Sequence, residues 1–363
     1  MTDTKSYNRK KSPLRTAGKW LLRILAIILT FVVFLAATLL ISMKMICSDI
    51  SPGAKQTFVT TLLETGQLKF LASWFLTPDQ IQEVVNSNSM EEINEEVNSA
   101  LITITPADDA ASGDNESRDI EVIPIAGRNY SATLLKVKDP SRISLATIYP
   151  WREKGVNLDE LVENSGAIAG INGGLYNSHN NSGGTPYGVI VSNGEIQLNE
   201  PNQFKGLVLI GFTEDNILQI IDIEGMSKGD IENLVAENKI RDAVTFQEES
   251  SDANNHFVQL IINGNARGMN GMGSGLNPRT AIGQCADGSV LLLVTDGRGK
   301  SGHLGASASD LIEIMEKYGA VNAANLDGGS SSCMYYEGEY LMTSVTFYYS
   351  NDSWRMPVAF VVK

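Results

Sequence analysis

Cysteine and histidine are both scarce in this chain, with three of each among 363 residues. Cys47 directly follows an apolar segment, so at most Cys285 and Cys333 could pair, which excludes a disulfide framework. We interpret these two as buried free thiols, because unpaired cysteine is among the residue types most often buried. Neither residue type shows the spacing of a zinc site, which argues against a zinc hydrolase.

Positive charge is sparse beyond the N-terminus. Residues 1–23 hold seven Lys or Arg and one Asp, a net charge of +6, and since the whole chain carries −14, residues 24–363 carry −20. A domain this acidic repels phosphate at long range, so nucleic acid is not expected as a partner. A substrate that contains phosphate would need basic residues close to the binding site.

The stretch 24–43, ILAIILTFVVFLAATLLISM, contains no charged residue. As a helix it would span about 30 Å, the thickness of the hydrocarbon core of a bilayer. The alternative is a cleaved signal peptide, but such peptides have apolar regions of about 7–15 residues and a small-residue cleavage site, which residues 42–47 lack. The preceding basic residues predict a single-pass anchor in the cell membrane, with a cytoplasmic N-terminus and an extracytoplasmic C-terminal domain.

The composition divides the chain into five segments. Beyond the anchor, Thr77-Pro78 is typical of a helix N-cap and predicts an acidic helix as far as about Val97. The segment PADDAASGDNESR lacks apolar periodicity and is typical of a linker, so the part after it should fold alone. We predict a basic cytoplasmic tail (1–23), a transmembrane anchor (24–43), a solvent-facing helical stalk (44–105), an acidic linker (106–118) and a globular domain (119–363).

From Asp119 onward the sequence shows short apolar runs separated by turn dipeptides. Asn193-Gly194, Asn263-Gly264 and Asp287-Gly288 each predict a β-hairpin. One helix is indicated after Ser307, which can cap it together with Asp310. The predicted fold class is α+β, with a mostly antiparallel sheet core and a few outer helices, preceded by one transmembrane helix and a helical stalk.

Three clusters of polar residues directly follow or open apolar strands, where a rigid scaffold presents side chains. A single Asp-Gly or Asn-Gly pair is usually only a turn, but Asp296-Gly297 and Asp327-Gly328 are not bracketed by short matched strands. We therefore expect the clusters to form one cleft. Their candidate residues are Asn172, Gly173, Gly174, Arg279, Thr280, Asp296, Arg298, Asn325, Asp327, Gly328, Gly329 and Ser330.

The strings NPRTAIG (277–283), DGR (296–298) and NLDGGSSS (325–332) resemble the phosphodiester glycosidase family. INGGLY (171–176) matches a further stretch of that family approximately, with Leu175 where an aromatic residue is often found. The resemblance covers about residues 120–363. Members of the family include a lysosomal enzyme that removes N-acetylglucosamine from a phosphodiester.

The resemblance implies cleavage of a sugar C1–O bond with phosphate as the leaving group. Arg279 and Arg298 would then bind the phosphate bidentately. Asp296 and Asp327 are the candidates to stabilise C1 or to activate water.

The other candidates are predicted to bind substrate. Glycines at these positions would let backbone N–H groups approach phosphate or sugar oxygens. Amide and hydroxyl side chains would bind sugar hydroxyls, and His303 lies near the presumed site, whereas His179 and His256 are interpreted as structural. The substrate-binding set is Asn172, Gly173, Gly174, Thr280, His303, Asn325, Gly328, Gly329 and Ser330.

No cofactor is predicted: calcium could bind Asp327 and neighbouring carbonyls, but the loop pattern of a calcium site is missing. The expected function is a membrane-anchored hydrolase of glycosyl phosphodiesters on surface or exopolysaccharides. The alternatives are a glycan-binding or exopolysaccharide assembly factor without turnover, and a phosphodiesterase that cleaves at phosphorus.

Overall fold

The structure, a computed structural model, describes residues 13–65, 68–104, 119–345 and 351–363. The predicted linker 106–118 lies outside the described residues. The helices are α1 (Pro13–Ile46), α2 (Pro52–Leu63), α3 (Phe70–Ser73), α4 (Pro78–Asn86), α5 (Leu158–Asn164), α6 (Lys228–Glu237) and α7 (Ala308–Lys317).

The strands are short and pair with antiparallel neighbours. They are β1 (Ile120–Ala126), β2 (Ser131–Val137), β3 (Ile143–Thr147), β4 (Ala169–Asn172), β5 (Val189–Ser192), β6 (Glu195–Asn199), β7 (Leu207–Thr213), β8 (Leu218–Asp222), β9 (Ile240–Gln247), β10 (Glu249–Ser250), β11 (Asn255–His256), β12 (Gln259–Ile262), β13 (Asn265–Ala266), β14 (Thr280–Cys285), β15 (Val290–Thr295), β16 (Ala320–Asn325), β17 (Met334–Tyr336), β18 (Glu339–Met342) and β19 (Val358–Val362).

Three sheets enclose one apolar core. Sheet A has the order β1-β2-β15-β14-β16-β12-β13, sheet B the order β18-β17-β4-β19-β3, and sheet C the order β6-β5-β9-β7-β8. Leu135 of sheet A, Phe360 of sheet B and Phe212 of sheet C belong to the same buried cluster. One helix covers the outer face of each sheet: α7 on A, α5 on B and α6 on C.

This arrangement confirms the predicted α+β class with an antiparallel core and outer helices. The three predicted hairpins are present as β5–β6, β12–β13 and β14–β15, and the Ser307–Asp310 capping box starts α7. β14 and β15 are buried along their whole length, because the core covers one face and α7 the other. Both cysteines of the domain, Cys285 and Cys333, are free and buried, as expected.

The chain divides into two compact units, residues 1–55 and 56–363. In the first unit, Ala17–Ile46 forms a helix long and apolar enough to cross a membrane, a property that N-terminal signal sequences share. α1 therefore contains a candidate membrane span.

The expectation that residues 56–104 face solvent as a stalk is wrong. Val59, Leu62 and Leu63 of α2 are buried. Asn88, after α4, donates from Nδ2 to the carbonyl of Ser274 at 2.8 Å and accepts at Oδ1 from the Met272 N–H at 2.7 Å. Local apolar spacing does not reveal such partners, which lie 184 and 186 residues away.

The predicted end of the acidic helix is also corrected. Thr77 and Gln80 form a capping box at the start of α4, as the Thr-Pro pair indicated, but the helix ends at Asn86 rather than near Val97. Ser87, Asn88 and Ser89 follow, and these residue types favour side-chain contacts with backbone over helix continuation. Asn88 makes such contacts with the 272–274 loop.

We now expect a fragment of residues 119–363 to be less stable than one of residues 56–363. Removal of 56–104 exposes the domain surface that Val59, Leu62 and Leu63 cover. The measurement is thermal unfolding of both fragments by circular dichroism, with a midpoint lower by at least about 5 °C for the shorter one. Equal midpoints would show that α2 to α4 contribute nothing to the fold of the domain.

Candidate active site

The ends of β4, β14, β15 and β16 meet on one face of the molecule. Thr280 Oγ1 donates to Asn172 Oδ1 at 2.7 Å, and Asn172 Nδ2 donates to the Asp327 carbonyl at 2.6 Å. The N–H of Gly329 donates to the Pro278 carbonyl at 2.8 Å. The segments that carry the predicted site residues are therefore neighbours in the fold.

Asp296 and His303 form a hydrogen-bonded pair directly after β15. His303 Nδ1 lies 2.8 Å and 3.0 Å from the two carboxylate oxygens of Asp296. The N–H of Ser131 also donates to Asp296 Oδ1 at 2.7 Å, so the carboxylate is held from two sides. Gly299 and Gly302 adopt positive φ angles of 88° and 83°, which allows the short loop that returns His303 to Asp296.

This pairing changes the roles expected for the two residues. The Asp296 side chain is only 6% exposed, and its oxygens face His303 and a backbone N–H. His303 is 25% exposed, and Nδ1–H bonded to a carboxylate leaves Nε2 as a proton acceptor. Among the residues that the structure describes, Nε2 forms no hydrogen bond, so it remains available to accept a proton.

Asp327 is half-buried at the end of β16. Burial raises the pKa of its carboxyl to about 7, although hydrogen bonds from Ser331 and from the Gly328 N–H, together with the charge of Arg298, act in the opposite direction. Tyr176 OH lies 3.0 Å from Ser331 Oγ and closes the buried side of this group. A carboxyl with a pKa near 7 exchanges its proton readily at neutral pH.

Arg298 is exposed beside Asp327, and its guanidinium is held by polar side chains. Nε donates to Asn277 Oδ1 at 3.3 Å, and Nη1 donates to Ser330 Oγ at 2.9 Å. Nη2 lies over Gly329, where a Cβ would be only 2.5 Å away. Within the described part of the chain Nη2 has no hydrogen-bond acceptor. Its two N–H groups therefore remain for a ligand.

Arg279, by contrast, is buried and occupied. Nη2 donates to Glu64, to Ser274 Oγ at 3.1 Å and to the Gly275 carbonyl at 2.8 Å, while Nε donates to the Ala306 carbonyl at 3.2 Å. The Arg279 side chain is only 7% exposed. The expectation of bidentate phosphate binding by Arg279 is therefore corrected, because its side chain is buried and Nε and Nη2 already donate to acceptors within the protein.

Asn172, Thr280 and Asn325 are also scaffold residues rather than sugar ligands. Each is at most 1% exposed. Asn172 and Thr280 bond to each other, and Asn325 Nδ2 donates to the Phe257 carbonyl at 2.9 Å. Their predicted contacts with sugar hydroxyls are corrected for this reason.

The glycines divide into two groups. A Cβ at Gly173 would lie 3.1 Å from Val358, and one at Gly174 would lie 2.4 Å from the Thr245 carbonyl. These two are needed for close packing inside the protein, not for phosphate. A Cβ at Gly328 would lie 3.0 Å from the Pro278 carbonyl, and Gly329 lies beneath Arg298. Gly328 and Gly329 therefore remain at the site.

Two residues of this region were missed from the sequence. Asn277 stands in the NPRTAIG string and holds Arg298, so a signal was available. Glu64 contacts Arg279 across 215 residues of sequence, and nothing in its local context indicates this. Across residues 13–65, 68–104, 119–345 and 351–363, three or more His, Cys, Asp or Glu side chains nowhere group as metal ligands.

The family model described as phosphodiester glycosidase matches residues 165–363, more than half of the chain. The chain belongs to the phosphodiester glycosidase family. This confirms the resemblance inferred from the strand-end motifs. The matched range includes the Asp296–His303 pair and Asp327 but not Glu64.

Three similar proteins can be named. The chain resembles the zebrafish N-acetylglucosamine-1-phosphodiester alpha-N-acetylglucosaminidase catalytic domain, auto-inhibited by its pro-peptide, with a TM-score of 0.51, 18% identity and coverage of 70% of this chain and 86% of that one. At this identity the likeness concerns the phosphodiester glycosidase fold alone. A hypothetical protein from Synechocystis gives a TM-score of 0.42 at 17% identity, and the match covers 67% of this chain and 61% of that one.

The third is the SPbeta prophage-derived uncharacterized protein YomE of Bacillus subtilis (strain 168), 40% identical over 65 residues. That match covers 18% of this chain and 10% of YomE, so the chain matches about a tenth of the length of this relative.

The raised pKa of Asp327 predicts a pH-dependent stability difference. The folded protein holds a proton that the unfolded chain releases near pH 4, so this residue's contribution to stability is lost as the pH rises from about 4 through 7. Asp327→Asn should therefore raise the free energy of unfolding at pH 8 by about 1 to 3 kcal/mol, and by less at pH 4. Urea unfolding at both pH values measures this, and a difference that does not grow with pH would contradict it.

Proposed function

We propose that this phosphodiester glycosidase family member hydrolyses glycosyl phosphodiesters at the bond between sugar C1 and the phosphate oxygen. One juxtaposition carries the proposal: Arg298, an exposed residue whose Nη2 has no acceptor among the described residues, lies beside Asp327, a carboxyl with a pKa of about 7. Family membership supports a glycosidase-type hydrolase. The chemistry of the neighbouring side chains supports the finer assignment.

Arg298 is the proposed phosphate ligand. Its Nη2 lies over Gly329 and is not used by the protein residues described, while Asn277 and Ser330 hold the other two nitrogens in place. A guanidinium fixed in this way stabilises the negative charge that develops on a departing phosphate without having to reorganise. Arg279 is paired with Glu64 in the interior and does not contact the ligand.

Asp327 is the proposed carboxylate at the anomeric carbon. As the C1–O bond breaks, positive charge develops at C1, and an ionised carboxylate beside it lowers the energy of that state. With a pKa of about 7, Asp327 is ionised in about half of the molecules at neutral pH. Its Arg298 neighbour favours the ionised form.

The Asp296–His303 pair is the proposed proton acceptor. His303 Nε2 takes a proton from the attacking water, and Asp296 orients the ring and stabilises the imidazolium that results. The departing phosphate monoester needs little help from an acid, because it is a good leaving group. One base and one charge-stabilising carboxylate are then sufficient.

The substrate is proposed to be a glycosyl phosphodiester on a surface polysaccharide or exopolysaccharide. α1 contains a candidate membrane span, and the basic residues before it favour a cytoplasmic N-terminus. The domain would then face the outside of the cell membrane. An anchored domain reaches substrates close to that membrane, which is where such polymers are assembled.

Hydrolysis in oxygen-18 water tests which bond breaks. Attack at C1 places the label in the released sugar, whereas attack at phosphorus places it in the phosphate. We expect label in the sugar, detected by mass spectrometry of products from a panel of sugar-1-phosphodiesters. Label in the phosphate would move the chain to the phosphodiesterase class, and no turnover on any substrate would favour a glycan-binding role.

Paired substitutions test the Asp296–His303 unit. Asp296→Asn and His303→Gln should each lower kcat by about 10² to 10⁴. The kcat of the double variant should be no lower than that of the less active single variant, because Asp296 acts through His303. Asp287→Asn is the matched control, since this carboxylate bonds to Ser289 in the β14–β15 turn, and its kcat should equal that of the wild type. If the loss of kcat in the double variant equals the product of the two single losses, Asp296 and His303 have independent roles.

A further inference from the structure

Glu64 lies outside the family-matched range 165–363. It follows α2 directly, where a helix carries partial negative charge at its C-terminus. A carboxylate there is unfavourable for the helix itself. Its position therefore requires compensation by partners elsewhere in the fold.

The partners are on the domain, and they surround the carboxylate. Gly275 N–H donates to Oε1 at 2.6 Å and Asn255 Nδ2 at 3.2 Å, while Asn277 Nδ2 donates to Oε2 at 3.0 Å and Arg279 Nη2 also bonds to Oε2. The Glu64 side chain is only 2% exposed. Four donors and this degree of burial describe a permanent part of the interior rather than a group that competes with ligands.

Asn277 connects Glu64 to the exposed arginine. Because its amide nitrogen donates to Glu64, its oxygen must face the other way, and there it accepts from Arg298 Nε at 3.3 Å. Arg298 then reaches Ser330 through Nη1. Glu64 thus determines which end of the Asn277 amide meets Arg298, and so where Nη2 is placed.

We propose that Glu64 is a positioning residue for anion binding at this site, acting through Asn277 on Arg298 and by neutralising Arg279. The inference rests on the proposed role of Arg298 as a phosphate ligand. It makes α2, a helix before the family-matched range, a component of the site. The occupant it prepares for is the phosphate group of the substrate.

The test is binding of inorganic phosphate to the full-length protein in detergent, measured by isothermal titration calorimetry. Glu64→Gln keeps the shape of the side chain but cannot accept four hydrogen bonds, and its own amide can donate to Asn277 and reverse that group. We expect phosphate binding to weaken about tenfold or more. Glu64→Asp, which keeps the charge on a shorter side chain, should lose less.

Glu248→Gln is the matched control. Glu248 pairs with another buried arginine, Arg267, at 3.0 Å, and neither residue contacts Arg298 or Asp327 among the described contacts. This variant should lower the unfolding temperature to an extent similar to Glu64→Gln while leaving phosphate binding unchanged. A general loss of stability is thereby separated from a loss of positioning.

A double-mutant cycle with Asn277→Ala supplies the second readout. Both substitutions act on Arg298 along one path, so the loss in E64Q/N277A should be smaller than the product of the two single losses. Losses that multiply would overturn the relay. So would unchanged phosphate binding in E64Q, or tighter binding, which would make Glu64 a competing occupant of the site.

Phosphate binding does not require turnover, so the outcome is distinguishable from failure of the proposed reaction. A wild-type protein whose phosphate binding depends on Glu64 and Asn277 but which hydrolyses no phosphodiester would keep this inference and remove the glycosidase assignment. A wild-type protein that does not bind phosphate would overturn the inference.

Discussion

The buried guanidinium of Arg279 has to be compensated, and its partners come from separate parts of the chain. Glu64 follows α2, Ser274 and Gly275 lie on the loop before β14, and Ala306 precedes α7. Phe257 lies 4.8 Å below the cation. Because an unpaired charge in such a place is costly, these elements are held together around one side chain. The loop fixed in this way contains Asn277, whose side chain accepts a hydrogen bond from Arg298.

The site separates two carboxyl groups by environment. Asp296 is held by His303 and the Ser131 N–H, and its oxygens are directed into the protein. Asp327 is desolvated, and the pKa of its carboxyl is raised to about 7. Two residues of one type, each followed by glycine in the sequence, therefore suit the different tasks that we propose for them: Asp296 to orient a base, and Asp327 to stabilise charge at the anomeric carbon.

The sequence predicted the antiparallel α+β fold well, because the hairpins depend on local turn chemistry. Asn193-Gly194 and Asn263-Gly264 place both residues at positive φ, and Asp287-Gly288 places only Gly288 there; each dipeptide forms a turn between short strands. The end of α4 and the burial of α2 were predicted wrongly. Both depend on contacts with loop 272–277. The spacing of apolar residues within 56–104 does not reveal that this loop lies beside them.

The sequence by itself determined the candidate membrane span, the fold class and the strand ends that carry polar residues. Each of these follows from interactions between residues close in the chain, such as apolar run length, turn propensity and helix capping. Only the tertiary structure decided which of those polar residues are buried in the scaffold and which keep donors or acceptors free. Asn172, Thr280 and Arg279 have the same chemistry as ligand-binding residues, but each is buried and donates to partners within the protein. Those partners, and Glu64 above all, become neighbours only when the sheets pack, because side-chain direction and burial are properties of the assembled fold.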